Sequence, residues 1–261
     1  LGTSTLALDR NLIEDNGGNG VRLYVATGVT LTDNQITASG ATGVFVDGSG
    51  AALTTNTITG STGPGVVVKS SADQITMDRN VFGGNGGIAI DLSATTATLG
   101  DGVTVNTASP PSCGTDLGVG NGGLDAPVID DASATTVVGR ACAGATVQVY
   151  RAVADLDASD TSGGIDYGEG VAYVGSATAD GSGNWTLTGI TGLTAGDSVA
   201  ATATSVSQTS EFAANFGSNA LPVFDQDLLD RTNPEADVNT PPLYEKTFSG
   251  RLIFTLEGGL K

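Results

Sequence analysis

The sequence predicts an all-β chain: a short parallel β-helix of about four coils, then a β-sandwich module and an extended C-terminal tail. Three observations lead there. Val, Ile and Thr recur in short runs broken by Gly, Asn and Asp, with no long amphipathic segment of helical period. An asparagine returns at a near-constant interval through the first ninety residues. Beyond residue 126 the pattern changes to short apolar runs separated by tight turns.

Asn11, Asn34, Asn56 and Asn80 are spaced by 23, 22 and 24 residues. Three residues before each stands Leu8, Leu31, Leu53 or Met77, and two residues after it Ile13, Ile36, Ile58 or Phe82. A Gly-led strand follows in each unit: Gly20 to Leu23, Gly43 to Val46, Gly65 to Val68 and Gly87 to Ile90. Such a period with two or three short strands fits one coil of a solenoid. Alternate apolar residues then point into the bore and stack on the next coil. Asn tolerates the left-handed conformation at a bend, and stacked amides hydrogen-bond between coils, so the four asparagines are expected to form an inward ladder.

The phrases DRNLIEDNGGNGVRL, TDNQITASGATGVFV and DRNVFGGNGGIAIDL resemble the right-handed parallel β-helix repeats of bacterial surface proteins. The resemblance covers residues 4–92 and implies a right-handed coil. It specifies a fold and not an activity. VVGRACAGATVQVYRA, YVGSATADGSGNWTLTG and AGDSVAATATSVSQTSEF resemble the bacterial immunoglobulin-like modules that follow such helices, which implies an Ig-like sandwich.

The chain is therefore divided into coils over 1–92, a capping junction over 93–126, an Ig-like sandwich over 127–217, and an acidic linker with a terminal β-strand over 218–261. The junction is rich in Gly and carries Pro110 and Pro111; it is expected to fold over the C-terminal end of the helix, because a solenoid end exposes unpaired strand edges. Sandwich strands are expected at Thr135–Arg140, Thr146–Ala152, Ala172–Ala179, Asn184–Thr188 and Ser198–Thr204, with Asp180 to Gly183 as a hairpin turn. Trp185, the only tryptophan, is expected in the core, with sugar stacking as the alternative. In the tail, Leu252, Ile253, Phe254 and Leu256 form a β-prone run expected to pair outside the two modules, by strand addition to a neighbour that can build a filament. The chain starts in repeat register at Leu1 without a signal peptide, so the first coil is expected to meet upstream coils or another copy.

Lys plus Arg is 10 and Asp plus Glu is 28, a net charge of −18. Phosphate neutralisation needs basic residues, so nucleic-acid binding is disfavoured. There is no histidine, which excludes Ser-His-Asp triads and zinc sites of the usual His type. No apolar run is long enough to span a membrane. Cys113 and Cys142 suggest a disulfide in an exported chain; two buried free thiols are the alternative.

Two places carry candidate chemistry. Asp155, Asp157, Asp160, Asp166 and Glu169 lie in one acidic loop with oxygens enough to hold Ca²⁺ as a cofactor; a solvated acidic loop is the alternative. On the helix, one outward column is expected to hold Arg22, Phe45, Val67 and Ala89, and the next Tyr24, Asp47, Lys69 and Asp91. Asp47 and Asp91 would then stand two coils apart, roughly 9.6 Å, near the carboxyl separation of an inverting glycosidase. Lys69 between them would equally make an ordinary surface ion-pair ladder. The leading reading is a non-enzymatic structural or adhesive module of an extracellular or cell-surface protein, associating with itself or another surface protein into a filament or surface layer. The alternative is a polysaccharide hydrolase or lyase using Asp47, Lys69 and Asp91, or a glycan-binding module using Tyr24, Phe45, Asp47 and Lys69.

Overall fold

The computed structural model describes residues 6–24, 28–94, 101–114, 118–153 and 165–218. Asp155, Asp157, Asp160 and the whole tail beyond Ser218, including Leu252 to Leu256, lie outside the described residues.

Four coils of three short strands each build the N-terminal part. Coil 1 holds β1 (Leu6–Asp9), β2 (Leu12–Glu14) and β3 (Val21–Leu23). Coil 2 holds β4 (Val29–Thr32), β5 (Gln35–Thr37) and β6 (Val44–Val46). Coil 3 holds β7 (Ala51–Thr54), β8 (Thr57–Thr59) and β9 (Val66–Val68), and coil 4 β10 (Thr76–Asp78), β11 (Val81–Gly83) and β12 (Ile90–Leu92). Equivalent strands pair in parallel into three four-stranded sheets, β1-β4-β7-β10, β2-β5-β8-β11 and β3-β6-β9-β12. Leu31, Leu53, Ile36, Ile58, Val44 and Val66 fill the bore without solvent contact. Burial of each such side chain contributes about 1.5–3 kcal/mol.

The bends follow from local sterics. The left-handed residue at the first bend is the one before each asparagine: Arg10 (φ 55°), Asp33 (φ 53°), Thr55 (φ 54°) and Arg79 (φ 52°). The left-handed backbone expected at the asparagines thus falls one residue earlier, and the part of the asparagines is the side-chain ladder. A second left-handed column, Asp15, Ala38, Gly60 and Gly84, closes the next corner. Gly43 heads its strand for lack of room: a Cβ there would lie 2.5 Å from Ile58 Cγ2 and 2.6 Å from the Gly65 carbonyl oxygen.

Two antiparallel sheets enclose a second core. One is β13 (Val128–Ala132), β14 (Thr136–Arg140) and β17 (Asn184–Thr188) in the order β13-β14-β17. The other runs β16-β15-β18-β19, from β15 (Thr146–Ala152), β16 (Gly170–Thr178), β18 (Ser198–Ser205) and β19 (Gln208–Thr209), with β20 (Phe216–Gly217) on β18. Trp185, 2% exposed, sits in that core with Val137, Val147 and Val199. The turn at Asp180 is not a hairpin. β16 pairs with β15 and β17 with β14, so the turn carries the chain from one sheet to the other. The Asp180 carboxylate, which accepts from Ser182 N at 2.8 Å and Asn184 N at 2.9 Å, shapes it.

Within residues 1–222 the helix and these sheets form one compact unit. β15 is buried on both faces. Val147 and Val149 point into the second core, while Tyr150 and Ala152, with Ala200 and Phe212, join the core of the β-helix. Phe212 meets Phe82 edge-on at 5.8 Å and Tyr150 at 5.2 Å, sealing the bore with aromatic rings. Cys113 and Cys142 are joined by a disulfide, tying the junction to the connection between β14 and β15. The buried Asp125 carboxylate folds that junction, accepting from Thr107 N at 2.9 Å and Ser112 N at 2.7 Å.

Candidate functional site

The outer face of the sheet β3-β6-β9-β12 carries the candidate residues, and register decides what they do. β12 pairs with β9 as Ile90 with Val66, Asp91 with Val67 and Leu92 with Val68. The outward column is therefore Arg22, Phe45, Val67 and Asp91. Asp91 does not stand beside Lys69; that place belongs to Ser93, whose N–H donates to Val68 O at 2.9 Å. The Asp47–Lys69–Asp91 constellation is thus not formed. Val66 to Ile90 spans 24 residues, like Asn56 to Asn80. Two residues more than in the coil before, Gly87 and Ile88, stay in the turn, although they look like the start of the strand. Ala89 takes the place of the heading glycine, and Val66 N donates to its carbonyl at 2.8 Å.

Asp47 and Lys69 pair with each other. Lys69 Nζ lies 3.0 Å from Asp47 Oδ1 and 3.1 Å from Oδ2, and Ser71 Oγ donates to the same carboxylate at 3.3 Å. Phe45 faces outward yet is 1% exposed, so it offers no open stacking surface. The Arg22 guanidinium lies 4.5 Å from the centre of the Tyr24 ring and 4.8 Å from that of Phe45, a cation–π contact with both. Tyr24 is 61% exposed. The four residues read above as a glycan face accordingly comprise one open aromatic, one covered aromatic and a closed ion pair.

Asp91 is buried under the returning chain. Its Oδ2 accepts from Asp101 N at 3.1 Å and Gly102 N at 2.9 Å, while Oδ1 has no partner among the described residues. Burial pushes its pKa up to about 7, against the opposing pull of the Gly102 amide. With Gly102, Pro64, Gly86 and Gly87 it lines a cleft of about 350 Å³.

The asparagine column is continuous. Asn11 N and Nδ2 donate to Asn34 Oδ1 at 2.9 and 3.0 Å. Asn34 repeats this on Asn56 Oδ1 at 3.0 and 2.9 Å, and Asn56 on Asn80 Oδ1 at 2.9 and 2.8 Å. Below the last coil, among the described residues, no further coil supplies acceptors, and five side chains do so instead. Ile75 N donates to Asn121 Oδ1 (2.9 Å), Met77 N to Thr209 Oγ1 (2.9 Å) and Arg79 N to Gln148 Oε1 (3.1 Å). Asn85 N donates to Glu169 Oε1 (3.0 Å) and Leu92 N to Glu211 Oε1 (2.8 Å). Only Asn121 comes from the junction expected to cap the helix; the other four belong to the second module. Nothing in the local sequence marks them, because each acquires its role from a coil dozens of residues away.

Glu169, considered above for Ca²⁺, is 1% exposed and caps Asn85, also accepting from its Nδ2. Asp166 lies three residues before it, with its carbonyl accepting from Asn215 N at 2.8 Å. Among the described residues no cluster of three or more His, Cys, Asp or Glu is arranged to hold a metal. No helix among the described residues is long and apolar enough to cross a membrane.

No curated protein matches the chain. Residues 1–121, which include the four coils and the capping Asn121, match a family model described as a right handed beta helix region. Coils, register and family match agree, and the N-terminal part of this chain is a right-handed parallel β-helix.

Proposed function

We propose that the chain is a non-enzymatic structural or adhesive module of an exported cell-surface protein. The observation that carries this reading is the engagement of both candidate catalytic carboxylates in structure: Asp47 is closed by Lys69 at 3.0 Å, and Asp91 is roofed by the amides of Asp101 and Gly102. A glycosidase needs two carboxyls facing one substrate, one to protonate the leaving oxygen. The Cys113–Cys142 disulfide supports an oxidising, extracellular setting. The strand order β13-β14-β17 against β16-β15-β18-β19 supports an immunoglobulin-like second module, in the variant with the fourth strand on the second sheet. Its partners are another copy or another surface protein.

One observation favours glycan binding as the second reading: exposed Tyr24 with Arg22 over its ring. Incubation with a panel of uronic-acid and neutral polysaccharides separates the readings. The structural reading predicts neither new reducing ends nor unsaturated products. Products whose release is abolished by Asp47→Asn overturn it. Retention on a polysaccharide without products, lost in Tyr24→Ala, supports glycan binding instead.

A further inference from the structure

Two buried carboxyls stand at the seam where the second module seats on the last coil. Asp91 is the middle residue of β12, and Glu211 Oε1 accepts from the N–H of Leu92, the next residue. Both also hold the chain that returns over β12. Asp91 takes the amides of Asp101 and Gly102; Glu211 takes Thr104 N at 2.7 Å through Oε2 and Thr104 Oγ1 at 3.0 Å through Oε1. They are 1% and 4% exposed. Among the described residues, every donor to the two carboxyls is a neutral amide or hydroxyl. The ionisable groups facing the pair are themselves acids: Asp101 raises Asp91, Asp91 raises Glu211, and Glu211 raises Tyr167. The described basic residues are engaged elsewhere, Arg10 with Asp9, Lys69 with Asp47, Arg79 with Asp78 and Arg140 with Asp130. Arg22 lies on the aromatic rings and Arg151 acts on Asp197.

We propose that Asp91 and Glu211 form a proton-operated latch: protonated, they keep residues 101–104 and the second module seated on β12, and their ionisation loosens that seat. Each carboxylate would be buried with no cation beside it among the described residues, and the charge of Asp91 disfavours that of Glu211, so the closed joint holds its protons more tightly than an opened one. Burial accordingly pushes Asp91 to about 7 and Glu211 to about 8. Both shifts are upward. The latch is therefore strongest in the ordinary carboxyl range, and weakens as pH climbs through neutrality towards about 8.

The test is hydrogen exchange on the full chain with its disulfide intact, comparing protection at the Leu92 and Thr104 amides with that at the Asn34 amide inside the ladder. Between about pH 6 and about pH 9 the latch predicts a fall in relative protection of about tenfold or more at Leu92 and Thr104. Glu211→Gln keeps an acceptor for Leu92 but cannot ionise, and is expected to remove most of that fall; Asp91→Asn removes part of it. A relative protection in the unaltered chain that is constant with pH overturns the proposal, even if neither variant folds. So does a fall that persists unchanged in both variants.

Discussion

Replacing Asn56 by Leu probes the ladder at its most enclosed rung. Asn56 has no solvent contact. Its Oδ1 accepts from Asn34 N and Nδ2 at 3.0 and 2.9 Å, and its Nδ2 donates to Asn80 Oδ1 and Leu31 O, both at 2.8 Å. Leucine keeps the branched outline of asparagine, though it is bulkier, and removes all four bonds; water cannot reach the Asn34 amide to replace them. One net hydrogen bond contributes about 1 kcal/mol, and a buried group left unpaired costs about 1–3 kcal/mol, so the expected loss is about 2–5 kcal/mol. Asn11→Leu is the internal comparison. Asn11 is exposed, and the change removes only its two Nδ2 bonds, to Asn34 Oδ1 at 3.0 Å and Asp9 O at 3.2 Å. Its loss is expected to stay under about 1 kcal/mol. Urea unfolding of both variants at one pH gives the difference. Equal losses, or a neutral Asn56→Leu, would refute the reasoning that a buried amide column holds the coils in register.

Further outcomes follow from other contacts. Thiol titration of the denatured, unreduced chain is expected to find no free thiol, and reduction to lower stability by about 3 kcal/mol; two titratable thiols would contradict the disulfide. Gly43→Ala forces a Cβ to within 2.5 Å of Ile58 Cγ2 and is expected to cost about 1–3 kcal/mol, whereas Gly181→Ala, with open space around it, is expected to be near neutral. Lys69→Ala leaves Asp47 with Ser71 alone, and is expected to cost about 1 kcal/mol at low salt and less at high salt; a loss insensitive to salt would count against the ion pair.

The solenoid was legible because its causes repeat. An amide needed at every bend, and an aliphatic residue needed on each side of it, leave a period that survives variation elsewhere. The register of the fourth coil was not legible from the same cue. Gly87 imitates Gly65, and only pairing distinguishes a glycine that heads a strand from one that fills a turn; the two-residue slip moved Asp91 from beside Lys69 to beside Val67. The turn at Asp180 misled for a related reason, since turn chemistry fixes a reversal but not which sheet receives the next strand. Phe45 reads as outward and is outward, yet alternation says nothing about what later covers it. Gln148, Thr209 and Glu211 were invisible as caps: each is an ordinary polar residue in a β-rich stretch until the fold brings it to an unpaired amide.

Those caps join the helix and the second module into one body, and neither part is expected to stand alone. Trp185, the sole tryptophan, lies in the core of the second module, and the Asn34 and Asn56 amides lie in the helix. Equilibrium urea unfolding followed by Trp185 fluorescence and by exchange protection of those amides tests it most directly. Coincident transitions with one midpoint are expected. A helix that keeps its amide protection after Trp185 has become exposed would contradict it.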